Sequence, residues 1–295
     1  MRKWVGRTLL GLAFAPFIWA WWVWPPPVWY RWCWPRETAF MALRKNQEVP
    51  KPENGTMRYQ PVALGGIAPI LKDAVLAGED QRFYEHAGID YVEFRKALGY
   101  RPDSFSWKSS RDRAELVRAI RRSWNRQEQL RGASTITQQL AKNLYLSPSR
   151  NPLRKLKEAL TAWRLEYWLG KERILELYLN VAEFGPGLWG AEAASREYFG
   201  KGAAKLSLDQ AAALAGTLPF PLRSNPSYRP GRMRWRQNMI IRWLRGEDVE
   251  IPPAPELPPD TIPVVPDTLN LPDTIPIRPD TTRPRRDSVR PDTAS

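Results

Sequence analysis

Residues 78–90, GEDQRFYEHAGID, set two adjacent carboxylates, Glu79 and Asp80, a few positions ahead of His86, the only histidine in the chain. Neighbouring side chains on a helix do not share a face. One carboxylate of the pair can therefore enter a cleft as an acid–base group while the other ties down the local backbone. The plainer alternative is a helix end at which His86 caps or pairs with an acid. A second cluster lies in residues 131–152, where Ser134, Thr135, Thr137, Gln138, Gln139, Lys142 and Asn143 interleave with Ile136, Leu140 and Leu144. So many directed donors suit a sugar or a phosphate, or else the polar first turns of a helix. The third is RKLKE, in which Arg154 and Lys155 precede Glu158 by four and three residues and share a helical face. That triplet is either a surface ion pair, which contributes little, or a diphosphate site whose cations neutralise the anion while the carboxylate holds a bridging divalent metal.

The elements that must carry these residues are helical in pattern. IAPILKDAVLAGED spaces Ile70, Leu71, Ala74, Val75 and Ala77 along one face and ends at the carboxylate pair; LRKLKEALTAWRLEYWLG spaces Leu153, Leu156, Leu160 and Trp163 before a glycine stop. Ser207 and Gln210 form a capping box ahead of an alanine-rich core helix. Residues 36–61 read as a polar connector with a strand around TMRYQPVAL. Residues 101–131 hold nine basic residues against four acids and a short amphipathic helix over Arg113–Trp124; they are a solvated face or a flap over an anionic ligand. The lack of an alternating strand series and of a glycine-rich phosphate loop argues against an α/β nucleotide-binding domain.

The chain carries 45 Lys and Arg against 31 Asp and Glu, net +14. Seven acids against five arginines make residues 251–295 −2, which leaves +16 on residues 1–250. A basic body implies a polyanionic partner: nucleic acid, an acidic membrane surface or a phosphorylated substrate. The N-terminus favours the membrane. After Arg2, Lys3 and Arg7 there is no charge from Thr8 through Tyr30, enough to cross a hydrocarbon core of about 30 Å. Without a small-residue cleavage site, and with Trp21, Trp22, Trp24, Trp29 and Tyr30 as an interfacial belt, residues 1–35 read as an uncleaved anchor. The short basic terminus then lies in the cytoplasm and the bulk of the chain on the far side. A single cysteine, Cys33, forms no internal disulfide, and one histidine leaves little basis for zinc. From residue 248 to 295 the chain repeats Pro-Asp-Thr at Pro259, Pro266, Pro272, Pro279 and Pro291 and is too poor in apolar residues for a core, so it is expected to be a disordered tail.

Five blocks in order, EDQRFYEHAGID, GASTITQQLAKNLYL, RKLKEA, KERILELYLNVAEFGPGLWGAEAASREYFGK and LSLDQAAALAGTLPFPLRSNP, resemble the peptidoglycan glycosyltransferases of family 51, in particular their monofunctional biosynthetic transglycosylases. The resemblance implies a mainly α, lysozyme-like glycosyltransferase domain over residues 62–247 with a small membrane-associated lobe. The implied enzyme polymerises lipid II into glycan strands on the outer side of the cytoplasmic (inner) membrane. It implies Glu79 as the general base toward the acceptor 4-hydroxyl, with Asp80, Phe83 and His86 shaping the site. Ser134, Thr135, Gln139, Lys142 and Asn143 would hold the donor. Arg154, Lys155 and Glu158 would take the departing diphosphate with Mg2+ or another divalent cation, and Lys171, Tyr178 and Asn180 would support the cleft. The implied partners are lipid II, the growing strand, the membrane and other wall-synthesis proteins, with no nucleic acid. Residues 101–131 are longer than the resemblance calls for, and the tail lies outside it.

Other classes explain less. A lysozyme or lytic transglycosylase would also use two carboxylates but needs no clustered phosphate site. A bifunctional penicillin-binding protein would need Ser-x-x-Lys and Lys-Thr-Gly, and neither occurs. A nucleic-acid-binding membrane protein accounts for the charge but leaves Glu79 and the five blocks unexplained.

Overall fold

The computed structural model describes residues 27–46, 57–97, 106, 108–125, 134–145 and 153–252. After a 3-10 turn at Pro27–Arg31, the elements are α1 (Ala39–Asn46), β1 (Arg58–Tyr59), α2 (Pro69–Glu79), α3 (Tyr91–Ala97), α4 (Ser110–Asn125) and α5 (Ile136–Tyr145). They continue as α6 (Leu153–Leu169), α7 (Lys171–Val181), β2 (Glu183–Gly185), β3 (Leu188–Trp189), α8 (Ala191–Phe199), α9 (Leu208–Thr217) and α10 (Gly231–Leu244). The described chain is mainly helical, as the periodicity requires.

Local chemistry sets most of the boundaries. Pro69 opens α2 at a position where a missing N–H costs nothing. Ser207 and Gln210 make both halves of the expected capping box. Gly170, at φ 75°, breaks α6 from α7 in a conformation that side chains other than glycine rarely adopt. Asp90 caps α3, its Oδ1 accepting from the N–H groups of Val92 and Glu93 at 2.8 and 3.1 Å.

Two helical groups meet. Helices α2, α9 and α10 pack on one another, and α5, α6 and α7 form the second group, with α1 lying on α5 and the Pro27–Arg31 turn on α6. One apolar core runs through both, including Leu71, Val75, Ile136, Leu140, Leu165, Ile174, Leu214 and Ile240. A small sheet of order β1-β3-β2, parallel between β1 and β3 and antiparallel between β3 and β2, closes one side. Just past β3 the chain passes close to α7: a Cβ on Gly190 would stand 2.5 Å from the Asn180 carbonyl oxygen. The C-terminus of α2 is thereby aimed at the junction between the two groups.

In α6 the packing differs from what the leucine spacing suggests. Leu156, Leu160 and Trp163, with Tyr167 one turn on, are 57, 42, 62 and 77 % exposed, while Glu158, Thr161, Ala162, Leu165 and Leu169 face the core. The helix is apolar on two sides, so periodicity alone does not say which side docks. The expected membrane-crossing segment lies outside the described residues apart from Pro27–Tyr30, and no helix among the described residues is long and apolar enough to cross a membrane. The expected tail lies outside them from residue 253 onward, but its root is packed: Ile251 is 8 % exposed.

The connector is fastened to the domain by charge. Arg44 on α1 stacks over the Phe40 ring and donates to Glu183 Oε2 from Nε at 3.1 Å and Nη2 at 3.0 Å. Burial outweighs this pairing and pushes the Glu183 carboxyl up to about 7. Its folded-state value thus lies above its unfolded one. The folded state binds the extra proton, so this group's contribution to stability is full below about pH 4.5 and is lost as pH rises through about 7. The Glu183→Gln variant should therefore gain stability relative to wild type between pH 5 and pH 8, by at most about 3 kcal/mol. Urea unfolding of both proteins across that range checks it; a constant offset would mean that Glu183 keeps an ordinary acidity.

Candidate active site

Glu79 is the last residue of α2, and Asp80, at φ −164° and ψ 78°, has already left the helix. The backbone break turns the two carboxylates to different partners. Asp80 accepts the N–H of Ile136 on Oδ2 at 3.0 Å, meeting an otherwise unpaired donor at the N-terminus of α5. It also faces His86 Nε2 at 3.0 and 3.1 Å. Because a carboxylate oxygen accepts, Nε2 is the nitrogen that donates in this contact. His86 packs edge-on to the buried Phe83 ring, so His86, Phe83 and Asp80 lie together just beyond the end of α2.

Glu79 faces the junction with only 3 % of its side chain exposed. Gln139 Nε2, from α5, donates to Oε2 at 2.9 Å, and Arg236 Nη2, from α10, donates to Oε1 at 3.3 Å. The Gln139 amide is itself oriented by the Tyr178 hydroxyl of α7, which donates to its Oε1 at 2.9 Å. Three helices thus converge on one carboxylate. Burial raises the Glu79 proton affinity, opposed by the Arg236 charge, the Gln139 hydrogen bond and the charge of Lys142. A carboxylate moved in this direction is better matched to taking a proton near neutral pH than an exposed glutamate. The Tyr178 hydroxyl, buried beside it, is pushed well above its usual range.

The remaining candidates divide by place. Gln139 and Lys142, one turn apart on α5, stay partly open to solvent beside Glu79, and Ser134 is partly open at the start of the same helix. Asn143 is buried. Thr135 is committed to structure: its Oγ1 donates to the Gly88 carbonyl at 2.6 Å and accepts from the Gln138 N–H at 3.2 Å, while Gln138 Oε1 accepts from the Thr135 N–H. This is a second capping box, on α5. Lys171 lies 4.3 Å over the Phe83 ring and donates to Glu166 at 2.7 Å, which also accepts from Thr137. Asn180 is fully buried and spends its side chain on backbone, accepting from the Val62 N–H at 2.8 Å and donating to the carbonyls of Val62 and Glu176. Glu158 points inward from α6 and is 3 % exposed; Arg154 and Lys155 are helical in backbone, with side chains outside the description.

Arg236 is the residue that sequence reasoning missed. It is one of several arginines in GRMRWRQNMIIRWL, yet it falls on the stripe of Met233, Ile240 and Ile241 that is buried. A single cation on an apolar stripe is the signal that could have marked it.

A buried carboxylate held from α5 and α10, with a lysine and a glutamine at its open edge, is suited to taking a proton beside an anionic group. The transglycosylase family model matches residues 46–104 and 102–245, and the chain belongs to that family. Among its relatives is the biosynthetic peptidoglycan transglycosylase of Bordetella pertussis, 44 % identical over 196 residues, covering 66 % of this chain and 73 % of that one. The protein of the same name from Thiobacillus denitrificans is 36 % identical over 244 residues, 83 % of this chain and 95 % of the relative. That of Shewanella amazonensis is 44 % identical over 198 residues, 66 % and 71 %.

Proposed function

We propose that this family member, a peptidoglycan glycosyltransferase of cell-wall synthesis, lengthens β-1,4 glycan strands from lipid II by a single inverting displacement. Glu79 Oε takes the proton of the acceptor 4-hydroxyl as that oxygen attacks the anomeric carbon of the donor. The bond to the undecaprenyl diphosphate breaks, and the diphosphate leaves with its electron pair. The observation that carries this reading is the isolation of Glu79: one desolvated carboxylate held from α5 and α10, with its neighbour Asp80 turned away to cap α5. A sugar hydroxyl is a weak nucleophile and gains from a positioned base, whereas a diphosphate leaves without an acid when cations absorb its charge. A hydrolase would need a second free carboxylate across the scissile bond. The helical scaffold is compatible with the lysozyme-like arrangement.

Lys142 and Gln139 stand at the open edge of the site, where donor phosphate and sugar would be met. Arg154, Lys155 and Glu158 on α6 form the candidate diphosphate end. No group of three His, Cys, Asp or Glu among the described residues is arranged to hold a metal by itself. Glu158 would be the single protein carboxylate for a magnesium carried on the diphosphate, since this ion keeps substrate phosphates and water among its ligands. When bound, it would neutralise charge on the leaving group.

The same reading places the chain in the cytoplasmic membrane with its catalytic domain periplasmic. Arg173 on α7 supports a rigid junction to the anchor: it stacks 4.3 Å over the Trp34 ring and donates to the carbonyls of Tyr30 at 2.6 Å and Cys33 at 2.9 Å. Beside that junction, Trp29 and Trp32 are exposed, and the outer stripe of α6 presents Trp163 and Tyr167. Aromatic side chains of this kind favour the headgroup region. Replacing Trp163 and Tyr167 together by serine should raise the KM for lipid II in proteoliposomes by about fivefold, equivalent to ~1 kcal/mol of lost anchoring. Activity in detergent should hold; equal loss in both media would place the stripe away from the bilayer.

The function itself is tested by incubating the detergent-solubilised protein with lipid II and magnesium and separating products by size. Glycan strands are expected. Unchanged lipid II, or shortening of preformed glycan in a parallel reaction, would overturn the reading.

A further inference from the structure

A guanidinium buried on an apolar stripe must find acceptors, because desolvation without partners is prohibitive. Arg236 is 2 % exposed and reaches three groups from two parts of the chain. Nη2 donates both to the Gly78 carbonyl and to Glu79 Oε1, and Nη1 donates at 2.6 Å to the carbonyl of Pro252. The first two anchor it to the last turn of α2, where Glu79 sits. The third belongs to the root of the C-terminal segment, next to the buried Ile251. One planar cation thus joins the site carboxylate to a stretch that composition assigns to the tail.

The geometry is one-sided in a useful way. Gln139 holds Oε2, so without Arg236 the carboxylate is free to rotate about its last bond and Oε1 is left with no cation in contact. The other charged or titratable groups that bear on Glu79 are few. Lys142 approaches from α5, the Tyr178 hydroxyl from α7, and Asp80 follows in the chain but is occupied by His86 and the Ile136 N–H. Helix α9, packed on α2 from the remaining side, carries only Asp209, which is exposed. Among the described residues, Arg236 is the one cation in hydrogen-bond contact with Glu79.

We propose that Arg236 is a positioning residue for the proton transfer: it fixes the orientation of the Glu79 carboxylate and favours its ionised form, and Ile251 and Pro252 complete its seat. This rests on Glu79 being the base. An adjacent cation stabilises the carboxylate, and its removal raises the pH at which the base becomes available, by about one to three units for a close pair.

The test is the pH profile of kcat/KM on lipid II, measured with the full chain in detergent for wild type, Arg236→Met, Arg236→Lys and Ile251→Asp, with melting curves for each. Arg236→Met is expected to move the acidic limb to higher pH by about one unit or more, with kcat falling more than KM changes. Arg236→Lys, which keeps the charge and loses the fork, should bring the limb back toward wild type while leaving kcat low. Ile251→Asp, which unseats Pro252, should shift the limb in the same direction as Arg236→Met and by less. Limbs that coincide with wild type while activity falls in step with melting temperature would overturn the proposal and leave Arg236 a packing residue. If Arg236→Met does not fold, Ile251→Asp decides it: a displaced limb upholds the role and a superimposed limb ends it. Polymerisation retained in Glu79→Gln would instead sink the base assignment, a separate failure.

Discussion

Glu79→Gln is expected to reduce glycan polymerisation from lipid II by at least about a hundredfold, the lower end of what a positioned general base contributes. Glutamine keeps the shape of the side chain and one acceptor oxygen, which can meet Arg236 or Gln139, and Arg236 retains the Gly78 and Pro252 carbonyls, so the fold is expected to persist with a lowered melting temperature. The effect should appear in kcat, because the proton is taken in the transition state while substrate binding falls to other groups. In wild type the activity should fall as pH drops through the Glu79 value, and burial places that limb above the range of an exposed glutamate. Single-turnover assays with labelled lipid II, run beside melting curves, check both parts. Strand synthesis within a few fold of wild type would remove Glu79 from the chemistry.

The second large effect is on stability. Asn180→Ala removes three hydrogen bonds and strands the Val62 N–H and carbonyl against the core. At roughly 1 kcal/mol for each bond, plus the penalty for buried groups left unpaired, the cost is about 3–5 kcal/mol. For a domain of this size that lowers the melting temperature by roughly 10 °C. The closeness of Gly190 to the Asn180 carbonyl leaves no room for the segment to relax inward. Activity should be lost in proportion to unfolding and be recovered at low temperature. A raised KM with an unchanged melting curve would mean instead that Asn180 touches substrate.

Residues that the family resemblance groups together do different work here. Gln139 and Lys142 stand at the open edge of the site, whereas Thr135 and Asn180 are spent on helix capping and backbone pairing. Lys171 and Phe83 brace one another through the cation over the ring, and Glu166, which no motif singled out, ties Lys171 to Thr137. The polar groups behind the site are committed to one another and to backbone.

What the sequence by itself determined is local. The helix ending at Glu79, the stop at Gly170 and the reciprocal Ser207–Gln210 cap follow from interactions within one or two turns, and they stand where periodicity and capping chemistry put them. The division of labour between Glu79 and Asp80 was also legible as an alternative, because adjacent helical side chains diverge. Which of the two became desolvated was not, since that depends on Gln139 and Arg236, 60 and 157 residues away in sequence. The docking of α6 was likewise undecided: both of its faces are apolar, and only contact with α5, α7 and the Pro27–Arg31 turn chose the one carrying Leu165 and left Trp163 outside. The seating of Ile251 ran against a composition that marks the segment as tail, because one buried side chain and one carbonyl on Arg236 are enough to hold two residues. Burial and charge pairing are properties of the assembled interior, summed over partners from distant parts of the chain, so tertiary structure alone decided where the proton affinity of this protein is concentrated.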